Sequence, residues 1–141
     1  FEEAKREITV KDLLTHTSGF TYPPSVTGQG DVAKQYGDLR LFFDRNPTLN
    51  EHISTLSQVP LVAHPGETFT YSVSIDVLAG ILEKLTNKRL GDFLEERIFN
   101  PLGMKDSGFF VPPEKVKYFA QYYRPMQATA SARASRQPAP P

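Results

Sequence analysis

The sequence has no cysteine and no tryptophan among its 141 residues, and its 16 basic and 16 acidic side chains cancel. Without cysteine there is no disulfide, no thiol nucleophile and no thiolate-bound zinc, while the redox compartment stays open. Without net charge, the long-range attraction that draws proteins to nucleic acid or to an anionic membrane is missing, so neither is expected as a partner. No apolar run approaches the roughly 20 residues needed to cross a bilayer. The chain opens Phe1-Glu2-Glu3-Ala4-Lys5, with neither an initiator methionine nor a basic-then-apolar leader. It reads as starting inside a longer frame, with a cytoplasmic location slightly favoured. Its length fits one domain or a piece of one, enough to bury roughly 68–70 % of the unfolded surface.

Several chemical signatures are absent too. There is no Gly-x-Ser-x-Gly elbow, no His-Glu-x-x-His, no phosphate-binding Gly-Lys-Ser/Thr and no EF-hand loop. No serine or threonine is followed three residues later by lysine. Gly28-Gln29-Gly30-Asp31-Val32-Ala33 has the spacing of a dinucleotide loop, but Tyr22-Pro23-Pro24 stands where that fold needs a buried strand. His16, His52 and His64 lie in unlike contexts, and Glu2-Glu3 and Glu95-Glu96 are adjacent pairs that point apart on a helix. No metal and no cofactor are expected.

What is present is a series of helical patterns. Thr9-Val10-Lys11-Asp12 has the form of a capping box, with Val10, Leu13 and Leu14 on one face and Gly19 as the stop. Residues 20–30 read as a loop and residues 31–45 as a helix carrying Leu39, Phe42 and Phe43. Asn46-Pro47 breaks it. Thr48 or Asn50 then caps a short helix with Leu49, Ile53 and Leu56 inward. Val59 to Ala63 is extended and runs into a turn at His64-Pro65-Gly66-Glu67. Ile75, Leu78, Ala79, Leu82 and Leu85 form one stripe of a longer helix, capped by Ser72 or Ser74, with Asp76 in its first turns. Leu90, Phe93, Leu94 and Ile98 mark another that ends at Asn100-Pro101-Leu102-Gly103. Phe109, Phe110 and the aromatics from Tyr118 to Tyr123 read as core or interface residues. From Arg124 onward there is no aromatic residue and no periodicity, so 124–141 reads as a disordered low-complexity tail.

Three segments carry a resemblance. Leu13-Leu14-Thr15-His16-Thr17-Ser18-Gly19-Phe20, Pro65-Gly66-Glu67-Thr68-Phe69-Thr70-Tyr71-Ser72 and Ile98-Phe99-Asn100-Pro101-Leu102-Gly103-Met104 occur in this order. Together they resemble the middle of the serine β-lactamase/penicillin-binding-protein-like hydrolases, the branch of class C β-lactamases, D-alanyl-D-alanine carboxypeptidases and family VIII esterases. The resemblance implies a mainly α fragment, residues 1–123, of the β-lactamase/transpeptidase-like α/β fold. In that fold an antiparallel sheet is flanked by helices and carries a helical insert. It also implies a Ser-x-x-Lys nucleophile upstream and a Lys-Thr-Gly-like strand downstream, neither of which is in this chain. The remaining part of the parent domain would then be missing, and the fragment inactive alone.

Within the chain the resemblance assigns the catalytic tyrosine to Tyr71. Val73 stands where the family's Tyr-x-Asn motif has asparagine, which favours an esterase over a β-lactamase. The implied partner is a small-molecule ester or amide, cleaved by way of an acyl-enzyme. A phenol of ordinary pKa near 10 is a weak base at neutral pH, and making it a strong one takes roughly 4 kcal/mol of preferential phenolate stabilisation. A helix N-terminus supplies about 0.5–1 kcal/mol of that. On the residues alone, Tyr71 reads as a packed, hydrogen-bonded aromatic; the catalytic role comes from the resemblance. Tyr22 is a candidate substrate-binding residue lining the acyl pocket. His16, Ser18, Gly19, Gly66 and Ser72 are structural residues near the site, since positions i and i+2 such as His16 and Ser18 do not face each other on a helix. The alternative reading is a non-catalytic helical interaction or relic module.

Overall fold

The computed structural model describes residues 2–40 and 47–120; Phe42, Phe43, Tyr122, Tyr123 and the 124–141 segment lie outside them. The chain divides into two units, Phe1–Ser107 and Gly108–Pro141. The described residues are mainly helical and contain no β-strand.

In the first unit, α1 spans Val10–Leu14 and starts at the predicted capping box. The Thr9 hydroxyl accepts from the Asp12 N–H while the Asp12 carboxylate takes the Thr9 N–H. Asp12 is itself buried, because Arg6 covers it with a two-nitrogen fork. The helix stops earlier than Gly19. Thr15 caps it and His16 already has a left-handed backbone, φ +53°. Gly19, at φ +87°, serves a later turn.

Residues 16–19 then run beside residues 62–70 in the opposite direction. The Val62 N–H donates to Gly19 O at 2.9 Å, the Gly66 N–H to Thr17 O at 2.7 Å and the Thr70 N–H to His16 O at 2.8 Å. Spacings this irregular make a clasp and not a ladder. It positions everything that follows.

The helix α2, Gly30–Asp38, is shorter than the pattern over 31–45 suggests: Leu39 closes it and Arg40 turns left-handed, φ +49°. The helix α3, Leu49–Leu56, begins at a second capping box between Thr48 and Glu51. The turn at Pro65–Glu67 follows as predicted, whereas the stretch expected to be extended, Val59–Ala63, bends at Val59 and again at Val62 and Ala63. The helix α4, Ser74–Thr86, packs against α1 and α3. Its close approach to α3 is made at Gly80, where an added Cβ would lie 2.1 Å from Ile53 Cδ1.

Two expectations for α4 need correction. Neither Ser72 nor Ser74 caps it; Val73 is the cap residue, without a side-chain bond, because both serine hydroxyls are engaged elsewhere. The five-residue stripe is also uneven, with Ala79 buried but Ile75 and Leu85 exposed. A buried cluster of Tyr36, Leu56, Val59 and Val73 joins α2, α3 and the start of α4, and Phe20, Tyr22, Val32 and Val77 pack around it. The helix α5, Leu90–Leu94, continues as a π turn over Glu95–Phe99, in which the Asn100 N–H reaches back to Glu95 O at 2.9 Å.

In the second unit a 3₁₀ turn spans Pro113–Tyr118. Phe109, Phe110, Tyr118 and Phe119 are exposed, so they are not core residues.

Candidate active site

Tyr71 is the second residue before the Val73 cap of α4, at the end of the segment that leaves the Pro65–Glu67 turn. That turn needs glycine at its centre: Gly66 has φ +89°, and a Cβ there would lie 2.1 Å from Arg6 Nη2. Gly19 is constrained in the same way, since its Cβ would meet Ala63 O at 2.3 Å.

Around Tyr71 the chain brings together residues far apart in sequence. The His16 ring lies 4.8 Å from the Tyr71 ring, centroid to centroid, and the Tyr22 ring 5.5 Å away on a tilted face. The Tyr71 side chain is otherwise open to solvent. It borders a cleft of about 270 Å³ whose other walls include Thr21, Gln29, Val62 and Thr70. Gly28 also lines it, held so close to the Tyr22 carbonyl that no side chain fits there. Tyr22 itself stands against Tyr71, half-buried. Burial pushes its phenol above the ordinary tyrosine value, and the negative charge of Asp76 and the neighbouring Tyr71 add to this.

Behind the tyrosines runs a chain of buried hydroxyls. Ser18 Oγ meets Ser74 Oγ at 2.8 Å, Ser74 Oγ meets Ser72 Oγ at 2.8 Å, and Ser72 Oγ lies 3.4 Å from His16 Nδ1. All three serines are buried. Ser18 also accepts the Phe20 N–H at 3.3 Å, so its oxygen is occupied within the protein and does not face the cleft. Val73 points into the core cluster with 1 % exposure.

Asp76 lies in the first turn of α4, as the sequence pattern places it. The structure makes it half-buried, and burial raises its carboxyl above the usual range, partly offset by a backbone hydrogen bond and by His52. The cleft walls Thr21, Gln29 and Val62 were not legible as site residues; the only signal at that wall was the unusual Gly-x-Gly spacing at Gly28. Among the described residues no three His, Asp or Glu side chains come together as a metal site, and no helix is long and apolar enough to cross a membrane.

A sequence model of the family described as Beta-lactamase matches residues 2–141. The chain belongs to this beta-lactamase family. Among its beta-lactamase-family relatives, Protein Rv1367c of Mycobacterium tuberculosis (strain ATCC 25618 / H37Rv) is 40% identical over 121 residues, 86% of this chain and 29% of that protein. Esterase EstB of Burkholderia gladioli is 35% identical over 121 residues, 82% of this chain and 29% of the esterase. The solved structure of EstCE1, described as a hydrolase with promiscuous acyltransferase activity, superposes with a TM-score of 0.67 at 29% identity, over 77% of this chain and 28% of that one. The beta-lactamase/transpeptidase-like fold is therefore shared. The chain spans less than a third of the length of each of these proteins.

Proposed function

We propose that these residues are the central part of a serine hydrolase that cleaves a small ester or amide, with Tyr71 as its proton-transfer residue. In this reading residues 1–123 belong to the hydrolase domain and 124–141 are a low-complexity tail. The nucleophilic Ser-x-x-Lys pair, which this sequence does not contain, comes from chain outside these 141 residues. So does the antiparallel sheet, and the 141 residues alone are inactive. The serine oxygen adds to the substrate carbonyl while its proton passes through the Tyr71 phenol to the departing alcohol or amine. Water then enters, gives a proton back along the same route, and releases the acid and the free serine.

The observation that carries this reading is the placement of Tyr71: a solvent-facing phenol at a cleft wall, just before the N-terminus of α4 and fixed by backbone bonds on either side. The EstB relationship supports an ester as substrate. Val73 supports the same preference, because its side chain is part of the core and presents no amide to a β-lactam. In the full-length enzyme, Tyr71→Phe should lower kcat/KM for p-nitrophenyl butyrate by about 10²- to 10⁴-fold. Circular dichroism and Tm should not change. Unchanged kcat/KM in a folded Tyr71→Phe enzyme removes the role. A fluorophosphonate should not label the isolated 141 residues; stoichiometric serine labelling would overturn their inactivity.

A further inference from the structure

His16 holds both neighbours of Tyr71. Its backbone carbonyl accepts the Thr70 N–H at 2.8 Å, and its Nδ1 accepts the Ser72 N–H at 3.3 Å. Its ring packs on Tyr71 at 4.8 Å and meets Phe69 edge-on at 6.0 Å. Thus residues 69 to 72 all bear on one side chain and its peptide, although His16 and Ser72 are 56 positions apart. A backbone N–H can only donate, so Nδ1 must offer its lone pair and the ring proton sits on Nε2. Ser72, Ser74 and Ser18 then tie the ring to the buried interior through successive hydroxyls.

The backbone of His16 is unusual as well. Its φ of +53° lies in the left-handed region that non-glycine residues rarely enter. It closes α1 in a Schellman turn, the His16 N–H donating to Leu13 O at 3.3 Å and the Thr17 N–H to Asp12 O at 2.8 Å. Here the left-handed turn sends the carbonyl toward Thr70 while the side chain reaches Ser72.

We infer that His16 is a positioning residue for Tyr71, fixing the phenol by clamping the peptides on either side of it. The inference rests on the reading of Tyr71 as the proton-transfer residue and goes beyond it by naming the group that sets its geometry. His16 does not exchange protons with substrate.

The test uses the full-length enzyme and separates the acceptor from the backbone conformation. Asparagine tolerates a left-handed φ and offers Oδ1 in place of Nδ1, whereas glycine tolerates the φ but offers no acceptor. His16→Gly should lower kcat for p-nitrophenyl butyrate about 10- to 100-fold, the scale of a misplaced reacting group, with little change in KM. His16→Asn should restore kcat to within about threefold of the unaltered enzyme, because it keeps both the φ and the acceptor. In a Tyr71→Phe background, His16→Gly should have no further effect, since its influence passes through the phenol.

If His16→Gly does not fold, His16→Asn still decides: a folded His16→Asn enzyme with kcat reduced as far as expected for glycine overturns the inference. Independent, additive losses from His16→Gly and Tyr71→Phe also overturn it, while leaving the role of Tyr71 intact. A Tyr71→Phe enzyme of unchanged kcat removes the proposed function and this inference together.

Discussion

Arg6 grips Asp12 with both terminal nitrogens of its guanidinium, Nη1 at 2.6 Å from Oδ2 and Nη2 at 2.9 Å from Oδ1. The same guanidinium lies over Gly66, so one ion pair joins the N-terminal segment, the first turn of α1 and the turn that leads to Tyr71.

The Arg6 guanidinium, together with the Thr9 hydroxyl and N–H, holds the Asp12 carboxyl well below the usual carboxylate range. A depressed folded-state value stabilises the protein above the unfolded value and loses that contribution as acid protonates the native carboxylate. Stability should therefore fall as the pH drops below about 4. Asp12→Asn should melt lower at neutral pH and show a shallower decline of Tm between pH 4 and 2. An unchanged acid slope would mean that other carboxylates carry it. Thr9→Ala, which removes the cap itself, should cost about 1 kcal/mol in urea unfolding.

Tyr36 is fully buried, and its hydroxyl makes no well-formed hydrogen bond among the described residues, the Thr21 backbone approaching it too poorly to make one. Burial pushes its phenol up to about 12, only slightly relieved by the backbone at Thr21. Removing an unsatisfied hydroxyl while keeping the ring should raise stability, so Tyr36→Phe is expected to gain about 1–3 kcal/mol. The sign reverses nothing at high pH: the folded phenol keeps its proton longer than the unfolded one, so the native protein loses stability as pH rises from 10 towards 12. Tyr36→Phe should lessen that alkaline loss. A lower Tm for the phenylalanine variant would indicate a partner for the hydroxyl.

At Gly19, alanine meets two obstacles: a φ of +87° and a carbonyl oxygen 2.3 Å from the new Cβ. Gly19→Ala should lose at least about 1–3 kcal/mol, the cost of a strained left-handed residue, with the clash added. Since the Val62 N–H donates to Gly19 O, amide exchange at Val62 should speed up in the variant.

Gly80 offers a cleaner packing test. An alanine there would press only on the tip of Ile53, a flexible end that can turn aside, so the overpacking cost of Gly80→Ala should stay near the low end, about 1 kcal/mol, and helix propensity offsets much of it. Combining it with Ile53→Val removes the clashing Cδ1. The double variant should recover much of the loss, and strict additivity of the two changes would show that the helices part there instead.

Local elements were readable wherever the determining bonds lie within one turn. The Thr9–Asp12 capping box joins residues three apart and appears as the sequence suggests, and of the two caps offered for α3 the structure uses Thr48, in a box with Glu51 that also spans three residues. The turn at Gly66 follows from a backbone only glycine adopts easily. Failures occurred where a local preference met a distant partner. Ser72 and Ser74 have good capping side chains, yet their hydroxyls join Ser18, 56 residues from Ser74, and the cap is lost to that buried chain. The apolar stripe of α4 fixes a helical period without saying what covers Ile75 and Leu85. At the site, three motif segments pointed to Tyr71, His16 and Gly19, while the cleft walls at Thr21, Gln29 and Val62 left no pattern in the sequence.

By itself the sequence determined the helices, the glycine turns and membership of a hydrolase family, because capping, φ preference and motif spacing act over a few residues. Only the tertiary structure decided that His16 spans Thr70 and Ser72, that Tyr22 backs Tyr71, and that Val73 serves the core. Those relationships depend on the antiparallel clasp of residues 16–19 with residues 62–70. Closing a loop of that length draws on burial and hydrogen bonding across the whole unit, and no short stretch of sequence encodes it.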